Sequence, residues 1–172
     1  MEQDLTYRDQ VFINFRDFFG RSPDHAFRWV DVKRFCLPRS AQSDTQVLDA
    51  LIKHGHFRDD YAGGGVDPGR TRHGPYWLDR VSVDAYELVD ETTAMYALDA
   101  WAGQYGELPQ ALKAALERDV HSLVRRATSR YRLKGLGEGT LHDWGGVHGE
   151  FHELVVIDRG TSSLALIVAA DD

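Results

Sequence analysis

Cysteine is nearly absent from this chain. Cys36 stands alone among 172 residues, so no disulfide can form within the chain. Flanked by Phe35 and Leu37, it is expected to be a small buried hydrophobe rather than a reactive thiol. Long apolar runs are also missing. Leu154-Val155-Val156-Ile157 and Leu164-Ala165-Leu166-Ile167-Val168 fall far short of the roughly 20 residues that span a bilayer. The opening Met1-Glu2-Gln3-Asp4 is acidic and has no secretory-leader core. Together these absences lead to the expectation of a cytoplasmic protein without a membrane partner.

Positive charge is in deficit. The net charge is −7, with 27 acidic against 20 basic residues. That balance speaks against broad non-specific nucleic-acid binding. It is also uneven: residues 1–80 carry 12 basic and 12 acidic groups, so residues 81–172 hold the whole excess. Three familiar patterns are missing: Gly-x-Ser-x-Gly, His-Glu-x-x-His and Cys-x-x-Cys. The corresponding hydrolase, metalloprotease and redox readings therefore have no support. Gly64-x4-Gly69-Arg70-Thr71 nearly spells a phosphate-binding loop. However, arginine replaces lysine, and Gly74-Pro75 follows too soon for a helix to grow.

The periodicity predicts a helix over about 5–19, from Tyr7, Val11, Phe15 and Phe18, and a short helix over about 26–35. Ser43-Asp44-Thr45-Gln46 is a capping box opening a helix that ends near Gly55. Residues 59–75 read as a glycine-rich loop. Short strands are expected at Tyr76-Trp77-Leu78 and Val81-Ser82-Val83. A helix is expected over about 90–101, and a long one over about 109–133 with an arginine-rich last turn. Residues 153–158 and 163–169 read as a hairpin, apolar on both faces and so buried on both sides. The expected fold is therefore α+β. N-terminal helices and a long C-terminal helix would pack on a small antiparallel sheet ending in that buried hairpin. Residues 1–172 would form one domain, with helical, winged-helix-like 1–80 and 81–172 as subdomains.

The densest polar segment is His142-Asp143-Trp144-Gly145-Gly146-Val147-His148-Gly149-Glu150-Phe151-His152-Glu153. If 147–157 is extended, His148, Glu150 and His152 point to one face. His and Glu are competent zinc ligands. At about 3.4 Å per residue, His148 and His152 lie roughly 13 Å apart, so only an adjacent pair could share a metal. His142, Asp143, His121 or Glu117 would have to complete the set. Without metal, His152, Glu150 and Asp143 are the candidate acid–base residues. A divalent ion such as zinc is the one cofactor this set admits, and nothing else calls for one. The plainer reading is a solvated strand end. Glu117 and His121, four apart, read as a surface pair.

Three functions follow from these readings. The leading one is a non-enzymatic acidic binding module that regulates or neutralises a macromolecular partner, expected to be a protein. It would use Glu138, Asp143, Glu150 and Glu153. The alternative is a metal-dependent or acid–base enzyme built on 142–153. The third is a winged-helix DNA-binding regulator, with Arg70 and Arg72 as candidate phosphate contacts beside Lys33, Arg34 and Arg39. Against the third, the helix at 44–54 offers a single base, Lys53, beside Asp44 and Asp49.

Overall fold

A computed structural model describes residues 5–20, 27–40, 42–142 and 148–171. Alternating side chains build its main feature, a six-stranded antiparallel sheet. The strands of that sheet are β1 (Thr6–Asn14), β2 (Arg28–Cys36), β5 (Tyr86–Val89), β6 (Ser129–Leu133), β7 (Phe151–Asp158) and β8 (Ser163–Asp171), in the order β1-β2-β8-β7-β6-β5. A separate two-stranded ribbon pairs β3 (Arg72–His73) with β4 (Tyr76–Trp77). The α-helices are α1 (Asp44–Lys53), α2 (Glu91–Ala102), α3 (Gln110–Leu116) and α4 (Ser122–Arg126).

The hairpin of β7 and β8 lies in the middle of the sheet, with Asp158 opposite Ser163 across the turn. Its side chains fill both faces, as its uninterrupted apolar sequence requires. Val156, Ala165, Ile167 and Ala169 join Val30 and Val32 under α2, α3 and α4. Val155, Ile157, Leu164 and Leu166 join Phe35 under α1. Helices thus cover one face, while α1 and the segment leading to β5 cover the other.

The mixed α+β class holds, but the expected N-terminal helices are strands. Residues 5–19 form β1 and a 3-10 turn over Phe15–Phe18. A bulge between Tyr7 and Asp9 puts Tyr7 on the Phe35 face and Val11 on the opposite, Val32 face, so their helix-like four-residue spacing marks no shared side. The aromatic and β-branched content then favours the strand. Residues 28–36 form β2, paired on both sides. Its Asp31 and Lys33 face inward and so break the apolar pattern that would mark a buried strand. With two strands preceding α1, the winged-helix order is absent, and strands from both halves of the chain join one sheet.

The long helix expected over 109–133 is also corrected. Between α3 and α4 lies a π-helical turn, Glu117–His121, and after Arg126 the chain becomes extended and enters β6. Arg130, expected in a last helical turn, caps that helix from the strand. Its guanidinium donates to Val124 O at 2.6 Å and Ala127 O at 3.1 Å, where helix carbonyls end unpaired. Val81-Ser82-Val83 lies outside any strand, and the strand forms at Tyr86–Val89 instead. The capping box is present in full: Ser43 Oγ accepts from Gln46 N, and Gln46 Oε1 accepts from Ser43 N. Cys36 ends β2 exposed, opposite Thr6 and Ser163, and is not the buried hydrophobe expected.

Candidate functional site

Strand alternation turns Trp29, Asp31, Lys33 and Phe35 toward the face covered by α1 and the 54–86 segment. Both Asp31 and Glu153 pair with Val168 of β8, one from each side. Two strand spacings therefore separate these carboxylates, about 10 Å. Onto this row fold Asp59, Tyr61 and His73 from the segment after α1. The result is a charge network inside the protein.

Lys33 is fully buried, and all three of its N–H bonds are used. Nζ donates to Asp31 Oδ2 at 2.8 Å, Asp59 Oδ2 at 3.0 Å and Tyr61 OH at 2.8 Å. Burial, then the nearby carboxylates, push the Tyr61 phenol well above its usual range, so it stays protonated. Two buried carboxyl groups share one ammonium, so acidic side chains outnumber basic ones by one in this group. Tyr61 itself has a positive φ of 56°, a conformation that non-glycine residues rarely adopt. Asp59 Oδ1 helps hold it there by accepting from Tyr61 N at 2.8 Å.

Beside this group, His73 stacks flat on Phe57, with ring centroids 3.5 Å apart. Its Nδ1 lies 2.6 Å from Phe57 O, which can only accept, so Nδ1 carries a proton. Its Nε2 bonds one carboxylate oxygen of Glu153, and Tyr86 OH donates to the other. One further proton sits between His73 and Glu153. Whichever atom holds it, the pair is neutral overall. Burial, then Glu153, raises the Tyr86 phenol well above its usual range. Both His73 and Glu153 are closed to solvent.

The Lys33 group opens into a cleft of about 500 Å³ between β1, β2 and the loop at 59–65. Asp31 and Asp59 lie among its lining residues, with Gln10 donating to Asp31. Phe12 and Trp29 stand 5.7 Å apart on its wall, and Trp29 stacks on Tyr61 at 5.6 Å. Phe12 and Phe27 are 56% and 57% exposed, which is unusual for large apolar side chains and offers ring faces to a ligand. Arg16 is an exposed cation among the lining residues. A larger hollow, about 810 Å³, lies between α2, α3 and the π turn. Its ionisable groups pair with one another: His121 lies 3.3 Å from Glu117 and 3.5 Å from Asp99, and Arg125 pairs with Glu117.

Of the residues expected to form a site on 142–153, His148 is held apart from the Glu150–His152 pair. The strand starts at Phe151, after Gly149, so the extended stretch that would align His148, Glu150 and His152 does not exist. His152 pairs with Ala169 on the helix-covered face, near Trp101. His148 lies on the other face against Trp29, with its ring nitrogens at Asp60 O and Asp171 O. Glu150 and His152 do meet, at 3.3 Å, and Glu150 also accepts from Gln104. Among the described residues no group of three or more His, Cys, Asp and Glu side chains is arranged to hold a metal ion. Asp143 and Trp144 lie outside those residues.

Of the expected acidic contacts, Glu138 is exposed and Glu150 half-buried, but Glu153 is buried beneath His73. Arg70 and Arg72, expected at phosphates, turn toward the buried Asp60, at 2.7 and 3.9 Å, and Arg72 lies over Trp77. Lys33, another expected phosphate contact, is the centre of the buried network. The sequence reading missed Asp31, Asp59, Tyr61, His73 and Tyr86. The signal for Asp31 was present: in Val30-Asp31-Val32-Lys33, charge alternates strictly with valine, which is the period of a strand.

No protein-family model and no curated protein matches the chain. Among solved structures, citrus MAF1 is similar over 91% of this chain and 94% of that one, with a TM-score of 0.38 and 10% identity. The functional reading therefore rests on this chain's own residues. No helix of the described residues is long and apolar enough to cross a membrane.

Proposed function

We propose that this chain is a non-enzymatic binding module that regulates or neutralises a basic protein partner, and that the partner docks at the cleft between β1, β2 and the 59–65 loop. One observation carries this reading: an aromatic-walled cleft ends on two carboxylates that share a single ammonium. Aromatic anchors and a localised negative charge are what a basic protein surface complements. His73 and Glu153, the buried imidazole–carboxylate pair, are not among the residues that line this cleft, which favours binding over catalysis there. Recognition through Glu138 and Glu150 would then be peripheral, and Glu153 is assigned a structural task.

The test is affinity capture from a cell extract with the full chain, compared with a Phe12→Lys/Phe27→Lys variant. Both rings are more than half exposed, so the variant keeps the core intact. The expected result is capture of a basic protein that is released by salt and lost with the variant. Equal capture by both chains, or a captured protein of acidic charge, would count against the proposal.

A second reading keeps some footing in the Glu150–His152 pair, an acid and an imidazole 3.3 Å apart and partly open to solvent. An acid–base enzyme built there would lose turnover in His152→Gln. A hydrolase screen that finds no activity in the intact chain removes that reading.

A further inference from the structure

We infer that the cleft receives an arginine side chain, its guanidinium meeting Asp31 and Asp59 and its plane lying against the aromatic wall. This deepens the binding-module reading and depends on it. Lys33 uses every N–H it has, on Asp31, Asp59 and the Tyr61 hydroxyl, so two acidic side chains share a single cation. Each of these carboxylates keeps acceptor capacity. Asp31 Oδ1 takes one bond from Gln10, and Asp59 Oδ1 takes one from Tyr61 N, whereas a carboxylate oxygen can accept two. Both residues line the cleft.

The shape of the remaining site selects the cation. The position suited to a compact ammonium, central to both carboxylates, is already filled by Lys33. What remains is a pair of acceptors on separate elements, flanked by rings. A guanidinium has five donors in a planar fork, stacks on aromatic faces and is less strongly hydrated than an ammonium, so it loses less on entering. Phe12 and Phe27 expose ring faces at the mouth, while the Tyr61 ring already has the Lys33 ammonium 4.3 Å from its centroid. The exposed Arg16 opposes any entering cation through like charge and makes the sign of the ligand testable.

The experiment titrates the full chain with the peptide acetyl-Gly-Arg-Gly-amide and with its lysine and citrulline counterparts. The Trp29 indole N–H and the Gln10 side-chain amide are followed by NMR. Saturable shifts of both signals are expected with the arginine peptide. The citrulline peptide, similar in shape but uncharged, should bind about tenfold more weakly. Phe12→Ala should weaken the arginine peptide about threefold to tenfold, and Arg16→Ala should tighten it. Equal binding of citrulline and arginine, weakening by Arg16→Ala, or the absence of saturable shifts each overturns the inference. If the peptides fail while a basic protein is still captured in a Phe12- and Phe27-dependent way, the arginine assignment falls and the binding-module reading stands. If capture ignores those rings, the broader reading falls with it.

Discussion

His73 and Glu153 are eighty residues apart in sequence and share a hydrogen bond in a space closed to solvent. The imidazole reaches the sheet from the β3–β4 ribbon, and the carboxylate rises from a central strand. The bond therefore fastens the covering segment to the sheet. Because Tyr86 OH takes the second oxygen, the β5 end is fastened to the same carboxylate.

Removing one member of this set should cost far more than removing a surface ion pair. His73→Phe or Glu153→Leu should each destabilise the fold by about 3–5 kcal/mol, since each strands a buried polar partner. Tyr86→Phe should cost about 1–3 kcal/mol, because Glu153 keeps its bond to His73. The combined His73→Phe/Glu153→Leu chain should lose clearly less than the sum of its single substitutions, as neither polar group is then left alone. Urea unfolding of the four variants measures this coupling. Strict additivity would show that the pair does not act as a unit.

Asp44 predicts how the protein responds to acid. Burial alone would raise its pKa, but hydrogen bonds from Arg159, Tyr131 and Ser129 outweigh it and hold the carboxyl below its ordinary value of 3.8. The folded state thus prefers the charged form more than the unfolded state does. The resulting stabilisation is fully present above 3.8 and is lost as pH falls through the lower folded value. Asp44→Asn should melt at lower temperature than the natural chain at neutral pH, and the gap should close in strong acid. A gap that stays constant to the lowest pH would mean that the carboxylate charge is not what ties α1 to β6 and to the β7–β8 turn.

Gly74 predicts a local failure. Its φ is +52°, a conformation side chains rarely adopt, and an added Cβ would run into the Phe151 ring. Its carbonyl accepts from His142 Nε2 at 2.7 Å, and its N–H donates to Asp59 O at 2.8 Å. Gly74→Ala should therefore destabilise the chain by more than the roughly 1 kcal/mol of an ordinary backbone effect, through combined strain and overpacking. A melting temperature within about 1 °C of the natural chain would contradict this.

Where sequence signals are local, they described the structure well. The capping box at Ser43 and the hairpin at 153–169 depend on neighbouring residues, and both formed as expected. The helix opened by Asp90 is equally local. The two N-terminal strands were not readable in the same way. The bulge after Tyr7 breaks the two-residue alternation of β1 and leaves a helix-like spacing in its place, and Asp31 and Lys33 look like surface residues until Asp59 and Tyr61 arrive to satisfy them. The polar segment at 142–153 is crowded in sequence. The network that is crowded in space draws on six separate places along the chain, which no local pattern can show. Helix propensity around 127–133 likewise lost to sheet pairing with β5 and β7.

The position of β8 between β2 and β7 has a consequence for biosynthesis. The β1–β2 pair leaves the ribosome early, with one edge of β2 unsatisfied and the hydrophobic faces of both strands bare. The strand that covers that edge is made more than a hundred residues later. Until then Lys33 has no sheet to be buried in, and the nascent chain carries an open strand edge of the kind that recruits chaperones or pairs with a neighbouring copy. Folding must wait for the final hairpin and then close both halves together. Slow, cooperative kinetics follow from that order of events.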